Sequence, residues 1–183
     1  MNRGRSLWVI CRRLALGEGE GGCPPPPSPR AGLRIFCGAT IGMAVITYLA
    51  MTAAVPILVA SFGASACLIF AVPHGPFSRP RNVILGHAVA ALVGVAAVHT
   101  LGCTWYAAAL AVGGAIAAML YSATLHPPAA ATALIAVLTK QDFLYPLVPV
   151  AAGAAILSLA GMIFNRLAET AAAKHRRTDP QGG

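Results

Sequence analysis

The chain has 183 residues, 13 Lys and Arg against 5 Asp and Glu, a formal charge of +8 and 57% hydrophobic residues. Its bases sit at the ends of long apolar blocks. That is the orientation pattern of a membrane protein, and it excludes a nucleic-acid groove, where bases would interleave with aromatics. No Lys, Arg, Asp or Glu occurs in the 58 residues from Asn82 to Thr139, which excludes a soluble domain and predicts an all-α membrane protein.

Met1 to Leu16 carries Arg3, Arg5, Arg12 and Arg13 and no acid. It reads as a targeting peptide, an interfacial helix or an over-extended start. Gly17 to Arg30, with Pro24 to Pro27, reads as a disordered linker. Residues 1–31 are therefore expected as an N-terminal region, 32–167 as the membrane domain and 168–183 as a basic cytoplasmic tail.

Span one is expected over Leu33 to Thr52, where Gly38 and Gly42 form a G-x-x-x-G face for close helix contact. Segment two covers Ala54 to Val72, with Pro56 near its start and Gly63-Ala64-Ser65-Ala66 at its middle. A polar loop follows, Pro73 to Arg81, holding His74, Arg79 and Arg81. Span three runs from Asn82 to Leu101. Span four runs from Trp105 to Ala123, with Trp105 and Tyr106 as interface anchors. His126-Pro127-Pro128 then breaks the chain, because a proline pair cannot continue a regular helix. Segment five, Pro127 to Leu138, is short and broken. Span six covers Leu144 to Asn165, before a basic tail with Arg166, Lys174, Arg176 and Arg177.

These six segments fall into two halves at a constant offset of 67 residues. Ala64-Ser65-Ala66 falls on Ala131-Thr132-Ala133, Gly86 on Gly153 and Gly94 on Gly161. Three crossings per half make the second half inverted, as in many transporters. With the N-terminus inside, all three basic clusters lie on one side, so both termini are expected in the cytoplasm.

In segments two and five a hydroxyl, Ser65 or Thr132, sits in a small-residue stretch near mid-bilayer. Unwound backbone and helix N-termini there would attract an anion, with the hydroxyls as added donors. The alternative is that both hydroxyls bond to the preceding turn and serve packing. His126 is either an anion ligand, better when protonated, or a structural cap for carbonyls freed by the break. Arg81 either collects an anion at the cytoplasmic mouth or only orients the chain, with Asn82 as N-cap. His87 and His99 have a spacing close to that of haem-binding helices. No histidine lies in spans one, four or six to complete a pair, so His87 is read as packed or hydrogen-bonded. The five cysteines, Cys11, Cys23, Cys37, Cys67 and Cys103, form no metal-type cluster. All five acids lie outside the spans, so no membrane carboxylate serves as a base. An enzyme, a cofactor and a metal are not expected.

The stretches Gly63-Ala64-Ser65-Ala66, Pro73-His74, Pro80-Arg81-Asn82-Val83-Ile84, Gly86-His87 and His126-Pro127-Pro128-Ala129 together resemble the HPP family of small integral membrane proteins, named for the tripeptide. The resemblance covers about Leu33 to Arg166. Ala130 departs from it, where members often have Gly. Plastid and cyanobacterial relatives are implicated in nitrite transport, so the resemblance implies transport of nitrite or a similar small monovalent anion. The expected substrate-binding residues are Gly63, Ser65, His74, Arg81, His126 and Thr132, with Pro127 and Pro128 as the helix break. Expected partners are the lipid bilayer, a small anion and, as a homo-oligomer, further copies of the chain. A non-transporting scaffold or sensor subunit is the alternative. The N-terminal composition points to a bacterial inner membrane, with a plastid envelope as the other compartment.

Overall fold

A computed structural model describes residues 27–52 and 59–178, with the side chains of 59 and 172–178 set aside. The Arg-rich stretch Met1–Leu16, the linker as far as Pro26, and Ala53–Leu58 with Pro56 lie outside the described residues, as do the side chains of Lys174, Arg176 and Arg177. The chain divides into two compact units, Met1–Gly32 and Leu33–Gly183. In the first, a helix opens at Pro29, and the Ser28 hydroxyl accepts from the Ala31 N–H at 3.4 Å. Proline at the first helical position costs nothing, because its missing N–H would have no helical partner there. The helix thus starts before Leu33, where the apolar pattern begins.

Six α-helices make up the described residues: α1 Pro29–Thr52, α2 Val59–Ala71, α3 Pro80–Leu101, α4 Trp105–Tyr121, α5 Ala130–Leu138 and α6 Ala152–Thr178. Prolines open three short turns that lead into helices. A 3-10 turn, Pro76–Ser78, precedes α3; another, Pro127–Ala129, leads into α5; a wider turn, Pro146–Ala151, leads into α6. Three segments are long and apolar enough to cross a membrane: Pro29–Thr52, Pro80–Leu101 and Pro146–Ala171. Three shorter apolar helices accompany them, Ala60–Ala71, Trp105–Tyr121 and Pro127–Leu138. At about 1.5 Å per residue, the 12 residues of the last reach roughly 18 Å, well short of a bilayer core of about 30 Å.

Contacts fix the helix directions. Gly38, early in α1, lies against Phe70 and Phe164, whereas Ala50, late in α1, shares a cavity with Phe62 and Gly153. So α2 and α6 run opposite to α1. Asn82, early in α3, bonds to Leu125, and His99 near its end stacks on Phe143 with ring centroids 4.8 Å apart. Met119, late in α4, lies by Gly86, so α4 runs opposite to α3. Gly86 faces His126 and Gly94 faces Ala133, so α5 runs parallel to α3. Successive helices therefore alternate in direction through all six.

Small residues let these helices close up. On α1, Gly38, Gly42, Ile46 and Ala50 are buried at four-residue spacing, one stripe of the helix. Gly86 and Gly94 on α3 receive the chain around α5, while Gly153 and Gly161 on α6 receive Phe62 and Ile69 of α2. Each short helix is thus seated in glycine notches on a long one. Large apolar side chains face outward instead, among them Phe36, Leu92, Leu110, Leu120, Leu147 and Leu159. An apolar exterior around buried hydroxyls and imidazoles suits lipid as the surrounding solvent.

The break before α5 is built locally. Ala123 takes a left-handed conformation, φ 52°, and the Thr124 N–H donates to the Met119 carbonyl at 2.9 Å. This closes the end of α4 in the manner usually given to glycine. His126 is then extended, φ −137° and ψ 97°, as a residue before proline must be. The reversal takes five residues and sets His126 against Gly86 of α3.

Candidate functional site: a buried chain of histidines and hydroxyls

Four polar side chains meet where α2, α3 and the break before α5 converge. Ser65, His87, His126 and Thr132 each have 0% exposure. The Ser65 Oγ lies 2.9 Å from His87 Nε2 and 2.9 Å from His126 Nε2. His87 Nδ1 lies 2.8 Å from Thr132 Oγ1, and His126 Nδ1 lies 2.8 Å from the Phe77 carbonyl. The result is a continuous chain: Thr132, His87, Ser65, His126, Phe77 carbonyl.

Each member is placed by its element. Ser65 sits on α2 one turn beyond Ser61, whose carbonyl lies 3.1 Å from its Oγ. His87 follows Gly86 on α3; the missing side chain there lets the His126 backbone approach, since a Cβ on Gly86 would come within 2.9 Å of His126 Cβ. Thr132 occupies the first turn of α5, and the turn before it takes up the leading N–H groups, Ala129 N–H donating to the His126 carbonyl at 2.9 Å and Ala130 N–H to the Pro127 carbonyl, so the free donors expected at this helix start are already bonded. Phe62 closes the other side of His87 edge-on, with ring centroids 5.0 Å apart.

The loop that supplies the Phe77 carbonyl is tied down by two polar side chains. The Ser78 hydroxyl lies 3.0 Å from the Leu68 carbonyl and 2.6 Å from the Val72 carbonyl at the end of α2, adding to the bonds these carbonyls accept from the Val72 and Gly75 N–H groups. Asn82 Nδ2 donates to the Leu125 carbonyl at 3.0 Å and to the Pro76 carbonyl at 3.2 Å. Asn82 is thus a clamp between the loop and the Pro-Pro break. The N-cap position of α3, expected at Asn82, is taken by Arg79, which makes no side-chain cap bond.

The remaining expected residues fall elsewhere. Gly63 is half-buried on α2, and an added Cβ would meet nothing within 4 Å. Arg81 is exposed at the start of α3. His74 is exposed on the loop, its Nε2 3.5 Å from Glu169 Oε1, an ion pair when the imidazole is protonated. Ser65, His126 and Thr132 are therefore brought together, whereas His74 and Arg81 lie outside the buried chain. His87, expected from the sequence as packed or hydrogen-bonded, joins the two hydroxyls through its two ring nitrogens.

Cavities flank the chain. One of about 360 Å³ is almost wholly apolar and lined by Ile46, Ala50, Phe62, Pro149, Gly153 and Ile156, among others. At the opposite end a polar cavity of about 130 Å³ is lined by Arg34, His74, Asn165 and Glu169 with apolar neighbours. Asn165 also lines a smaller one of about 70 Å³, with Ile69, Ser78 and Ser158. Along α2, Phe62 borders the apolar cavity, Ser65 belongs to the polar chain and Ile69 borders the small cavity. The polar chain is thus interposed between spaces at the two ends. The cavity at the basic end also brings Arg34 of α1 beside the loop of His74 and the far part of α6. Among the described residues, the carboxylates Asp142 and Glu169 are both exposed, and no group of three metal-ligating side chains occurs.

Comparison with known proteins follows the same outline. A transmembrane protein of Dictyostelium discoideum is 45% identical over 119 residues, 61% of this chain and 38% of that protein. A second transmembrane protein from the same organism is 39% identical over 166 residues, 84% of this chain and 58% of that protein. The chain thus spans well under two thirds of either relative's length. No solved structure matches. The family model for the HPP transmembrane region matches residues 24–176, a stretch that contains all four members of the buried chain and the helices from Pro29 to all but the last two residues of α6, and the protein belongs to that family of integral membrane proteins.

Proposed function

We propose that this protein moves a small monovalent anion of the nitrite class across the membrane, along a path past Ser65, His87, His126 and Thr132. One observation carries the reading: a fully buried, carboxylate-free chain of neutral donors lies between an apolar cavity at one end and polar cavities with Arg34 and His74 at the other. Hydroxyls and imidazoles can shed their mutual bonds to coordinate a dehydrated anion, whereas a buried carboxylate would repel it.

Two internally related halves support the reading. Ala71, the last residue of α2, precedes Leu138, the last of α5, by the 67-residue offset. Equivalent helices α1 and α4, α2 and α5, α3 and α6 run in opposite directions, and the equivalent glycine pairs seat the two short helices. An inverted repeat with a central site would account for both features, and we propose it as part of this reading.

The reading is tested by anion flux into liposomes holding the purified protein. Nitrite uptake above protein-free vesicles is expected, and His126→Ala should cut it at least tenfold with unchanged insertion. Protein-dependent flux that is absent for nitrite and the other small anions would sink transport and leave a scaffold or sensor subunit. The inner membrane of a bacterium is the proposed location. Both termini are proposed to be cytoplasmic, because Arg34, Arg79, Arg81 and Arg166 all belong to one end of the molecule. A cysteine introduced at Arg79 should resist an impermeant thiol reagent in intact cells and react after lysis; labelling without lysis would reverse the orientation.

A further inference from the structure

The hydrogen positions in the buried chain follow from its partners. The Phe77 carbonyl can only accept, so His126 Nδ1 carries a proton and donates to it. In the neutral ring, His126 Nε2 then accepts, and the hydroxyl facing it is that of Ser65. Ser65 has a single proton, so toward His87 it offers a lone pair, and His87 Nε2 must donate. His87 Nδ1 is left bare and accepts from the Thr132 hydroxyl. The Ser65 Oγ is also within donating distance of the Ser61 carbonyl, at 3.1 Å; that bond to the preceding turn competes for the same single proton, and giving the proton to His126 leaves the Ser61 carbonyl with its helical N–H partner. All four side chains thus point their protons one way, from Thr132 toward Phe77.

A second arrangement satisfies the same contacts with one proton more. A proton delivered to the Thr132 oxygen displaces the threonine's own proton onto His87 Nδ1, leaving the hydroxyl neutral. His87 passes its Nε2 proton to the Ser65 oxygen, and Ser65 passes its own to His126 Nε2. Then His126 is an imidazolium, donating to Ser65 from Nε2 and to the Phe77 carbonyl from Nδ1. Ser65 donates to His87 Nε2, and His87 donates from Nδ1 to Thr132. Every bond is kept and the three hydrogen bonds among the four side chains are reversed. One charge has moved from Thr132 on α5 to His126 in the break before it, and no heavy atom has had to move.

We propose that this chain binds and carries one proton, taken up at Thr132 and held on His126, as the cation that accompanies the anion. The idea rests on the transport reading only for what the proton is coupled to. The titratable group facing each imidazole is the other imidazole, with ring centroids 5.2 Å apart. From α2 the chain meets Ser61 and Ser65, from the loop the Phe77 carbonyl, and from α5 Thr132. Arg79 and Arg81 on the loop and at the start of α3 are exposed, and His74 is turned to Glu169. Two imidazoles that share one hydroxyl can hold a single added proton with every bond satisfied; a second would set two N–H groups against the one hydroxyl and two cations side by side.

The test reads the tautomers directly. Protein labelled with ¹⁵N-histidine, in lipid nanodiscs and with His74, His99 and His175 replaced by Gln, leaves two imidazoles to follow by NMR. Near neutral pH, His126 is expected as the Nδ1–H tautomer and His87 as the Nε2–H tautomer. On acidification from about pH 8 to 4, a range around the ordinary imidazole pKa of about 6.5, His126 should become doubly protonated. His87 should switch to the Nδ1–H tautomer in the same step. Ser65→Ala should uncouple the two, so that His87 no longer follows His126. A His87 that keeps its tautomer while His126 titrates, rings that protonate independently in the intact chain, or no proton uptake by either ring over that range would each overturn the proposal. Nitrite flux in pyranine-loaded vesicles separates the two readings. Flux without luminal acidification removes the proton and leaves the anion path, while a tautomer switch without anion flux leaves the relay and removes the transporter.

Discussion

Gly94→Val is expected to prevent the six helices from assembling. A Cβ at position 94 would stand 2.5 Å from the Ala133 carbonyl oxygen, 2.8 Å from Ala133 Cα and 2.8 Å from Ala136 Cβ. None of these is the far end of a flexible side chain. Two belong to the α5 backbone and the third is an alanine methyl, so relief requires α5 to leave α3. Overpacking of a closed core costs about 1–3 kcal/mol for ordinary insertions, and valine adds three carbons against near-rigid atoms, so a loss at or beyond the upper end of that range is expected. Displacing α5 also withdraws Thr132 from His87. Gly113→Ala is the control, since a Cβ there meets nothing within 4 Å. Size-exclusion profiles and melting points in mild detergent read the outcome. A monodisperse Gly94→Val protein with the parent melting point would show that the α3–α5 contact is not as close as described.

The second large effect is expected at His87. His87→Leu removes both ring nitrogens, leaving the Thr132 hydroxyl without its partner and Ser65 with one fewer. An unsatisfied buried polar group costs about 1–3 kcal/mol, and nitrite flux should fall to the level of empty vesicles. Adding Thr132→Val, which removes the stranded hydroxyl at nearly constant shape, should return about 1 kcal/mol of that stability, because deleting both members of a buried pair costs less than deleting one. Flux should stay at zero in the double variant. The pair of measurements separates a purely structural histidine from a functional one. Flux that returns with stability, or a His87→Leu protein that transports normally, would take the buried chain off the path.

The residues show why some of this was legible in the sequence. The apolar blocks marked all six helices, and segment five ends at Leu138 as expected, because the proline pair starts it and Lys140 stops it. Ser65 and Thr132 came from the internal offset, and His126 from its place before the break. His87 was expected as packed or hydrogen-bonded and is both, but its place as a link between two hydroxyls was not legible because nothing local distinguishes it. Its partners lie 22 and 45 residues away along the chain, and a single imidazole in an apolar helix looks the same whether it packs or links. His74 and Arg81 drew attention through charge, yet both belong to the polar end and are exposed. Helix limits shifted where hydropathy and helix propensity part company. The helix of span six runs on past Asn165 through Arg166 and Glu169 to Thr178, because those residues favour a helix even where they disfavour lipid.

The glycine notches bear on how the chain is made. Gly153 and Gly161, which receive Phe62 and Ile69, lie near the end of the sequence, whereas α2 emerges from the ribosome roughly ninety residues sooner. During synthesis α2 enters the membrane with its seat not yet translated, and its Ser61 and Ser65 hydroxyls have only the helix's own carbonyls to bond. A fragment released at Ala123 would hold the first four helices and lack α6 to seat α2 and α5 to fill the notches at Gly86 and Gly94. The six-helix assembly is thus closed when α5 and α6 meet α3 and α2, so the early helices interlock with the later ones and do not form a separately finished bundle.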